Sequence, residues 1–334
     1  MSSGPVTAAL PGLDAGTAES LADGLRRVEE FLARRVEHED GFIAQASGHL
    51  LEAGGKRMRP VLTLLSAQVG SGITDEVVAA ASAVELIHLA SLYHDDVMDE
   101  ASLRRGAVSA NAEYGNSTAI LVGDLLFGNA SDVVADLGPD AVRIQARTFM
   151  RLCSGQIRDD RPCPPGEDPV EYYLGVLRDK TGSLIATAAR FGAMFGGCDE
   201  RTVEVLREYG ELLGVAFQLA DDLLDIDSRS GVSGKTPGTD LREGVQTLPV
   251  LLLRRSPRPQ DERLLELLDG DLSADEEGVA EALALLRAHP AMEEAREATR
   301  DVARRAQDLL GELPEGPAVG ALRAFAASVV DRAV

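Results

Sequence analysis

The chain has 334 residues, of which 55 are Asp or Glu and 33 are Lys or Arg, giving a net charge of −22. That balance excludes nucleic acid and anionic membrane as main partners, and 4 % aromatics with no Trp in an Ala-, Leu- and Val-rich chain favour helix over a β-sandwich. Cys153, Cys163 and Cys198 have no metal-ligand spacing and an odd count, so reduced thiols and a cytoplasmic setting are expected.

Residues 1–18 lack a basic leader region and read as a mobile tail, not a signal peptide. Residues 19–334 read as one domain. Helical periodicity starts near Glu19. Gly54-Gly55 is a helix stop and Pro60 suits the first turn of the next helix. Helices are then predicted over 59–69, 75–99, 117–136, 140–158, 169–195, 200–227 and 247–255, followed by shorter pieces. The acidic, Gly-interrupted stretch 260–282 reads as a solvated surface hairpin. No apolar run reaches the roughly 18 uncharged residues of a membrane span, the longest being interrupted by Glu85 and His88 or by Arg190. Strand-like alternation is nowhere convincing. The pattern predicts an all-α fold, with helices too many and too apolar for a simple four-helix bundle. Two loops stand out: 101–111, which contains Arg104-Arg105-Gly106, and 228–244, rich in Gly, Pro and Thr, which is either a lid or disordered.

Two Asp-Asp-x-x-Asp clusters, Asp95-Asp96-Val97-Met98-Asp99 and Asp221-Asp222-Leu223-Leu224-Asp225, end long apolar runs. On a helix, residues four apart share a face, so Asp95 projects with Asp99 and Asp221 with Asp225. Stacked carboxylates repel unless a hard cation lies among them, and oxygen-only donors suit Mg²⁺, which bridges one or two carboxylates to phosphate. A solvated acidic face is the alternative, but the runs at 79–93 and 212–220 are nearly uninterrupted apolar sequence. A polar residue also precedes a cluster Asp by two helical turns in each case: His88 before Asp95 and Gln218 before Asp225.

So acidic a chain needs local cations to hold an anion. Gly54-Gly55-Lys56-Arg57-Met58-Arg59-Pro60 combines close-approach glycines, a helix start and guanidinium forks. Arg104 and Arg105 follow the first cluster, Lys180 and Thr181 interrupt an apolar helix, and Lys235 lies in the long loop. Together these could hold two diphosphates, one directly and one through metal, which suggests two phosphorylated substrates and a joining reaction.

The segments GGKRMRP, ELIHLASLYHDDVMDEASLRRG, KTGSL, FQLADDLLDI and GKTPGTDLREG occur in that order, and together the chain resembles the trans-isoprenyl diphosphate synthases, or polyprenyl synthetases, over roughly residues 20 to 332. The resemblance implies a large orthogonal helical bundle around a deep central cavity, the isoprenoid synthase fold, usually a homodimer. It also implies head-to-tail condensation of isopentenyl diphosphate with an allylic diphosphate. By similarity, Asp95 and Asp99 hold two Mg²⁺ on the allylic diphosphate and Asp221 with Asp225 a third, while Asp96 and Asp222 stand behind them. Lys56, Arg59, His88 and Arg105 look like the isopentenyl diphosphate pocket. Arg104, Lys180, Gln218 and Lys235 would touch the allylic diphosphate, Thr181 and Gln218 would turn oxygen dipoles to the cation, and Gln156 with Asp159 would support them. Val245 stands where many members carry a lysine, and 328–334 lacks the aromatic and basic residues with which some short-chain members close over substrate.

The growing tail should run from the first Asp cluster along its own helix, about one turn per isoprene unit. Short-chain members often carry an aromatic four or five residues before the first Asp. Here those positions are Ser91 and Ala90, both small, with Ile87 the next wall and Leu126 or Phe127 a floor from another helix. A linear product of roughly C30 to C50 is expected, with a C20 product as the alternative. A terpene cyclase would want an Asn/Asp-x-x-Ser/Thr-x-x-x-Glu second motif, and a non-catalytic partner subunit should have lost part of the Asp or Arg set. Neither pattern is present.

Overall fold

The computed structural model describes residues 13–227 and 237–330. Helices run through almost all of them: α1 (Ala15–Val36), α2 (Gly41–Glu52), α3 (Met58–Ala67), α4 (Asp75–Met98), α5 (Ala110–Tyr114), α6 (Asn116–Asp136), α7 (Pro139–Asp159), α8 (Pro169–Leu177), α9 (Ser183–Phe195), α10 (Glu200–Asp227), α11 (Thr239–Arg242), α12 (Leu248–Arg255), α13 (Glu262–Asp269), α14 (Glu276–Arg287), α15 (Pro290–Leu309) and α16 (Pro317–Val330). The fold is all-α. Residues 1–12 of the expected tail, and most of the expected lid, lie outside the described residues.

Caps account for several boundaries that periodicity misplaces. Asp14 accepts from the Gly16 and Thr17 amides, so α1 begins four residues before the apolar pattern becomes regular. Asp40, Thr74 and Asp168 do the same for α2, α4 and α8, the last with Pro169 in its first turn. The predicted continuous helix over 169–195 is interrupted: Arg178–Gly182 forms a π turn between α8 and α9. The loop 101–111 folds into a short hairpin, β1 (Leu103–Arg104) against β2 (Ala107–Val108). Its two turn residues, Arg105 and Gly106, both have positive φ, 55° and 79°, as a tight primed turn demands.

The described residues group into two compact units. In the first (up to Met150, Leu184–Gly210 and Leu309–Ala324), α4 is the central helix, packed by α1, α3 and α6. From Ala80 to Ala90 every residue except His88 is buried, which explains an apolar run with little amphipathic bias. In the same unit α9 meets α3 through small residues. A Cβ at Gly192 would lie 2.1 Å from the Thr63 carbonyl oxygen, and one at Gly196 would lie 2.7 Å from that of Ala67. Gly192→Ala must therefore push two helices apart. We expect a loss of about 1–3 kcal/mol in urea unfolding, whereas Gly128→Ala on α6, with open space around its Cα, should be neutral or slightly stabilising.

In the second unit (Arg151–Ser183, Glu211–Asp308 and the C-terminal turns from Phe325), Leu219, Leu223 and Ile226 of α10 pack with α12, α13, α14 and the start of α15. This corrects the reading of 260–282 as a solvated hairpin. Leu264 and Leu267, and then Val279, Ala282, Leu283 and Leu286, fall at helical spacing and are buried in this core. The acidic residues between them occupy the outer faces. Acidity masked an amphipathic pattern.

Two helices, α4 and α6, are long and apolar enough to cross a membrane by length and composition, although Glu85 in the first and Asp124 and Asp132 in the second still interrupt any uncharged run of the expected length. The apolar window of α4 is 72 % buried within the protein and that of α6 39 %. The first is a core helix. On the second, Ile120, Leu121 and Leu125 form an exposed apolar face.

Candidate active site

The first unit gathers the basic loop, His88 and the first Asp cluster. Lys56 and Arg57 come from the turn between α2 and α3, where Gly54 has φ 84° and Arg57 itself is left-handed at 48°, and Arg59 comes from the first turn of α3. Arg57 is buried. Its Nε donates to Glu29 at 2.6 Å and its Nη1 to the buried Glu85 on α4 at 3.1 Å. Burial opposes its charge, but Glu29 and Glu85 more than offset this and hold its pKa above the ordinary value. Arg57 is thus the anchor that pins the loop to α1 and α4. Arg105 reaches the same loop from the hairpin, donating to the Leu50 carbonyl at 3.1 Å and also to that of Gly54. Gly55 lets both guanidinium groups close in, since a Cβ would lie 2.9 Å from Arg105 Nη1 and 3.0 Å from Arg57 Nη1 and push them aside.

This packing gathers several cationic side chains around His88 and Arg59. His88 is held well below 6.5, by burial first and then by Arg59, Arg105, Arg57 and Arg104, and is neutral at physiological pH. Arg59 is lowered by burial and by Arg105, and its Nε is buried without a hydrogen-bond partner. An orphaned guanidinium N–H beside a neutral imidazole and further arginines is poorly matched to an empty protein interior and well matched to an anion.

Asp95 lies close enough to help hold the charge on Arg59. Asp99 caps α4 one turn beyond it, its amide donating to the Asp95 carbonyl at 2.8 Å. The middle residue, Asp96, is fully buried and accepts from Arg104 Nε at 2.5 Å, while Arg104 Nη2 stands 3.6 Å from Asp99. Asp96 therefore fixes Arg104. The only non-glycine residues with positive φ among those described are Arg57, Glu100 and Arg105, all in this region. Strain of this kind is retained where function requires it.

The second unit gathers the other predicted residues. Lys180 and Thr181 project from the π turn, and such turns recur at functional sites. Lys180 Nζ donates to Asp159 at 2.6 Å. The Thr181 hydroxyl donates to Gln218 Oε1 at 3.3 Å, and Gln218 Nε2 donates to Asp222 at 3.0 Å. Tyr173 OH closes the chain on the other oxygen of Asp222. This sequence of bonds fixes the Gln218 amide with its oxygen beside Thr181. Burial pushes the Asp222 carboxyl up to about 6, opposed by the Tyr173 and Gln218 hydrogen bonds. Gln156 donates to Asp160 at 3.2 Å rather than to Asp159. Asp225 accepts the backbone amides of Thr239 and Asp240 at 3.2 and 3.1 Å, tying down the return of the long loop. Lys235 lies outside the described residues, and Val245 is exposed.

Among the described residues no group of three or more His, Cys, Asp or Glu side chains could hold an ion unaided. Paired carboxylates four residues apart suit a small hard cation that fills its shell with water and phosphate, and do not suit Zn²⁺ or a caged Ca²⁺. The donor set fits Mg²⁺ brought in with a diphosphate.

Sequence reasoning missed Tyr173, Arg57 as an anchor, and the π turn. Tyr173 stands seven residues, two helical turns, before Lys180, the same offset that drew attention to His88 and Gln218. The π turn left no compositional mark.

The polyprenyl synthetase family model matches residues 40–286. The chain is 49 % identical over 320 residues to the nonaprenyl diphosphate synthase of Mycobacterium tuberculosis, covering 96 % of this chain and 95 % of that one. The chain belongs to the polyprenyl synthetase family. It is a prenyltransferase with the isoprenoid synthase fold. Among solved structures, the geranylgeranyl pyrophosphate synthase of Corynebacterium glutamicum, complexed with calcium and isoprenyl diphosphate, is 40 % identical with a TM-score of 0.86 over 96 % of this chain and 98 % of that one. The decaprenyl diphosphate synthase of Rhodobacter capsulatus is 33 % identical, also with a TM-score of 0.86, over 96 % and 99 % of the two chains.

Proposed function

We propose that this synthetase condenses isopentenyl diphosphate head to tail with an allylic diphosphate, releasing diphosphate and a linear all-trans chain of roughly C30 to C50. The observation that carries the reading is that both acidic motifs and the arginine, lysine and histidine set are complete within one 334-residue chain, which a partner subunit without activity of its own would not need. Small residues at Ala90 and Ser91 favour a long product. Likeness to a geranylgeranyl pyrophosphate synthase favours C20 as the second reading.

In this mechanism Lys56, Arg59, His88 and Arg105 bind isopentenyl diphosphate. A neutral His88 donates a hydrogen bond without adding to the crowd of cations. Asp95 and Asp99, with Asp221 and Asp225, are the carboxylates that would hold three Mg²⁺. Bound there, the metal neutralises charge developing on the leaving diphosphate. Arg104 and Lys180, with Lys235, bind the same diphosphate and favour breaking its C–O bond. Thr181 and Gln218 set oxygen lone pairs beside the allylic cation. The alkene of isopentenyl diphosphate supplies the electron pair for the new C–C bond, and the departed diphosphate takes the proton that is lost. The catalytic residues are thus Lys180, Thr181 and Gln218.

We further read residues 19–334 as one synthase domain, acting in the cytoplasm as a homodimer that buries the exposed Ile120, Leu121 and Leu125 face of α6. Sedimentation of Leu121→Asp should then give monomers where the parent chain gives dimers.

Incubation with labelled isopentenyl diphosphate, an allylic primer and Mg²⁺, followed by chromatography of the dephosphorylated products, tests the reaction. Linear polyprenols of six to ten units are expected. A C20 product ends the long-chain reading. Cyclic hydrocarbons, or binding without turnover, end the proposal as a whole.

A further inference from the structure

The π turn that presents Lys180 and Thr181 is gripped from behind by ionic side chains that none of the motifs contains. Asp179, the residue before Lys180, accepts from Arg151 Nε at 2.9 Å on one carboxylate oxygen and from Arg158 Nη1 at 3.3 Å on the other. Arg151 continues to Glu211 of α10, its Nη2 donating at 2.6 Å, and also to the Arg178 carbonyl at 3.3 Å.

A π turn carries one residue more than an α-helical turn and so displaces carbonyls from their usual amide partners. Here the Arg178 carbonyl is taken up by Arg151, and that of Asp179 by the Ser183 hydroxyl at 2.6 Å. The turn is also pressed against α7. A Cβ at Gly155 would lie 2.4 Å from the Lys180 backbone nitrogen, so only glycine lets the two backbones approach. Arg158 is itself held over the Tyr172 ring, 4.7 Å from its centroid, and Tyr172 OH donates to the Arg158 carbonyl at 2.9 Å. Bidentate use of Asp179 by two half-buried arginines fixes direction as well as distance.

We propose that the Arg151–Asp179–Arg158 clamp is a positioning device for this reaction. It holds the π turn so that Lys180 and Thr181 stand ready for the allylic diphosphate and the cation it leaves. This rests on the reading of Lys180 and Thr181 as catalytic residues, and Asp179 acts only through them.

The test is a double-mutant cycle on the full chain. Asp179→Asn keeps the shape and removes the charge that both arginines grip. It should lower kcat by on the order of 10-fold to 100-fold, the effect of a displacement near 1 Å. KM for isopentenyl diphosphate, which meets other residues, should stay within about twofold. Lys180→Ala should be slower still, and the double variant should lose clearly less than the product of the two single losses, because of the two groups the clamp positions only Thr181 remains. Arg151→Lys, which keeps the charge without the fork, should show the same kcat loss with a smaller change in unfolding midpoint, and it serves if Asp179→Asn does not fold.

Full kcat in both Asp179→Asn and Arg151→Lys overturns the clamp. So do losses that multiply in the double variant, since a general structural defect would be independent of Lys180. Full kcat in Lys180→Ala instead overturns the assignment of Lys180 beneath it.

Discussion

Asp95→Asn should lower kcat by about 10³-fold at saturating substrate, the scale seen when a preorganised electrostatic contact to a leaving group is removed. The side chain keeps its shape and loses the charge that makes the Asp95 and Asp99 pair a cation site. Part of the loss should be recovered at raised Mg²⁺, because the remaining carboxylate still binds, only more weakly. Stability should change little. Asp95 is only partly buried, and the repulsion relieved by removing one of three clustered carboxylates offsets the attraction lost to Arg59. Asp96→Asn is the instructive contrast. Asp96 is fully buried against Arg104, so its loss leaves a guanidinium poorly paired and should depress the unfolding midpoint together with activity. Steady-state kinetics over a Mg²⁺ titration, with thermal unfolding of both variants, separates the two. Activity of Asp95→Asn within tenfold of the parent chain would remove Asp95 from the metal site.

Much of the chemistry could be read from residue type and helical spacing. Asp95 with Asp99, and His88 two turns earlier, needed only the period of a helix and an apolar run long enough to guarantee one. What could not be read depended on backbone detail. Arg105 occupies a left-handed conformation that side-chain identity argues against, so Arg-Arg-Gly gave no hairpin signal of the Asn-Gly kind. The π turn at Arg178–Gly182 is sustained by Arg151, Ser183 and Gly155, and the Arg151–Arg178 and Gly155–Lys180 contacts span 27 and 25 residues, which periodicity cannot register. Arg57 looked like one more cation for substrate. Its role is fixed by Glu29 and Glu85, which no local pattern joins to it. At 260–282 composition misled, because glutamates on the outer face outweighed leucines on the inner one.

Product length is where a single substitution should move the outcome furthest, and the structure shifts which residue to change. Ala90 and Ser91 precede the first Asp by five and four residues, and a ring at either would stand one turn up-chain of the reacting diphosphate. Ala90 is 1 % exposed within a closely packed stretch of α4, so Ala90→Phe should shorten the product while overpacking the core by about 1–3 kcal/mol. Ser91 is only partly buried, and its hydroxyl does no more than bond back to the His88 carbonyl at 2.9 Å. Ser91→Phe should therefore install the wall with little loss of stability, cutting the product to about C15 to C20, since each isoprene unit spans about one turn. In the same unit Phe127, one of the predicted floor residues, packs against Phe149 with ring centroids 4.1 Å apart. As the aromatic pair nearest the predicted floor, they should set the upper limit once the first wall is absent, so that Phe127→Ala lengthens the product of the parent chain but not of Ser91→Phe. Chromatography of the dephosphorylated products reads each length directly. An unchanged length in Ser91→Phe would mean that the tail does not run along α4.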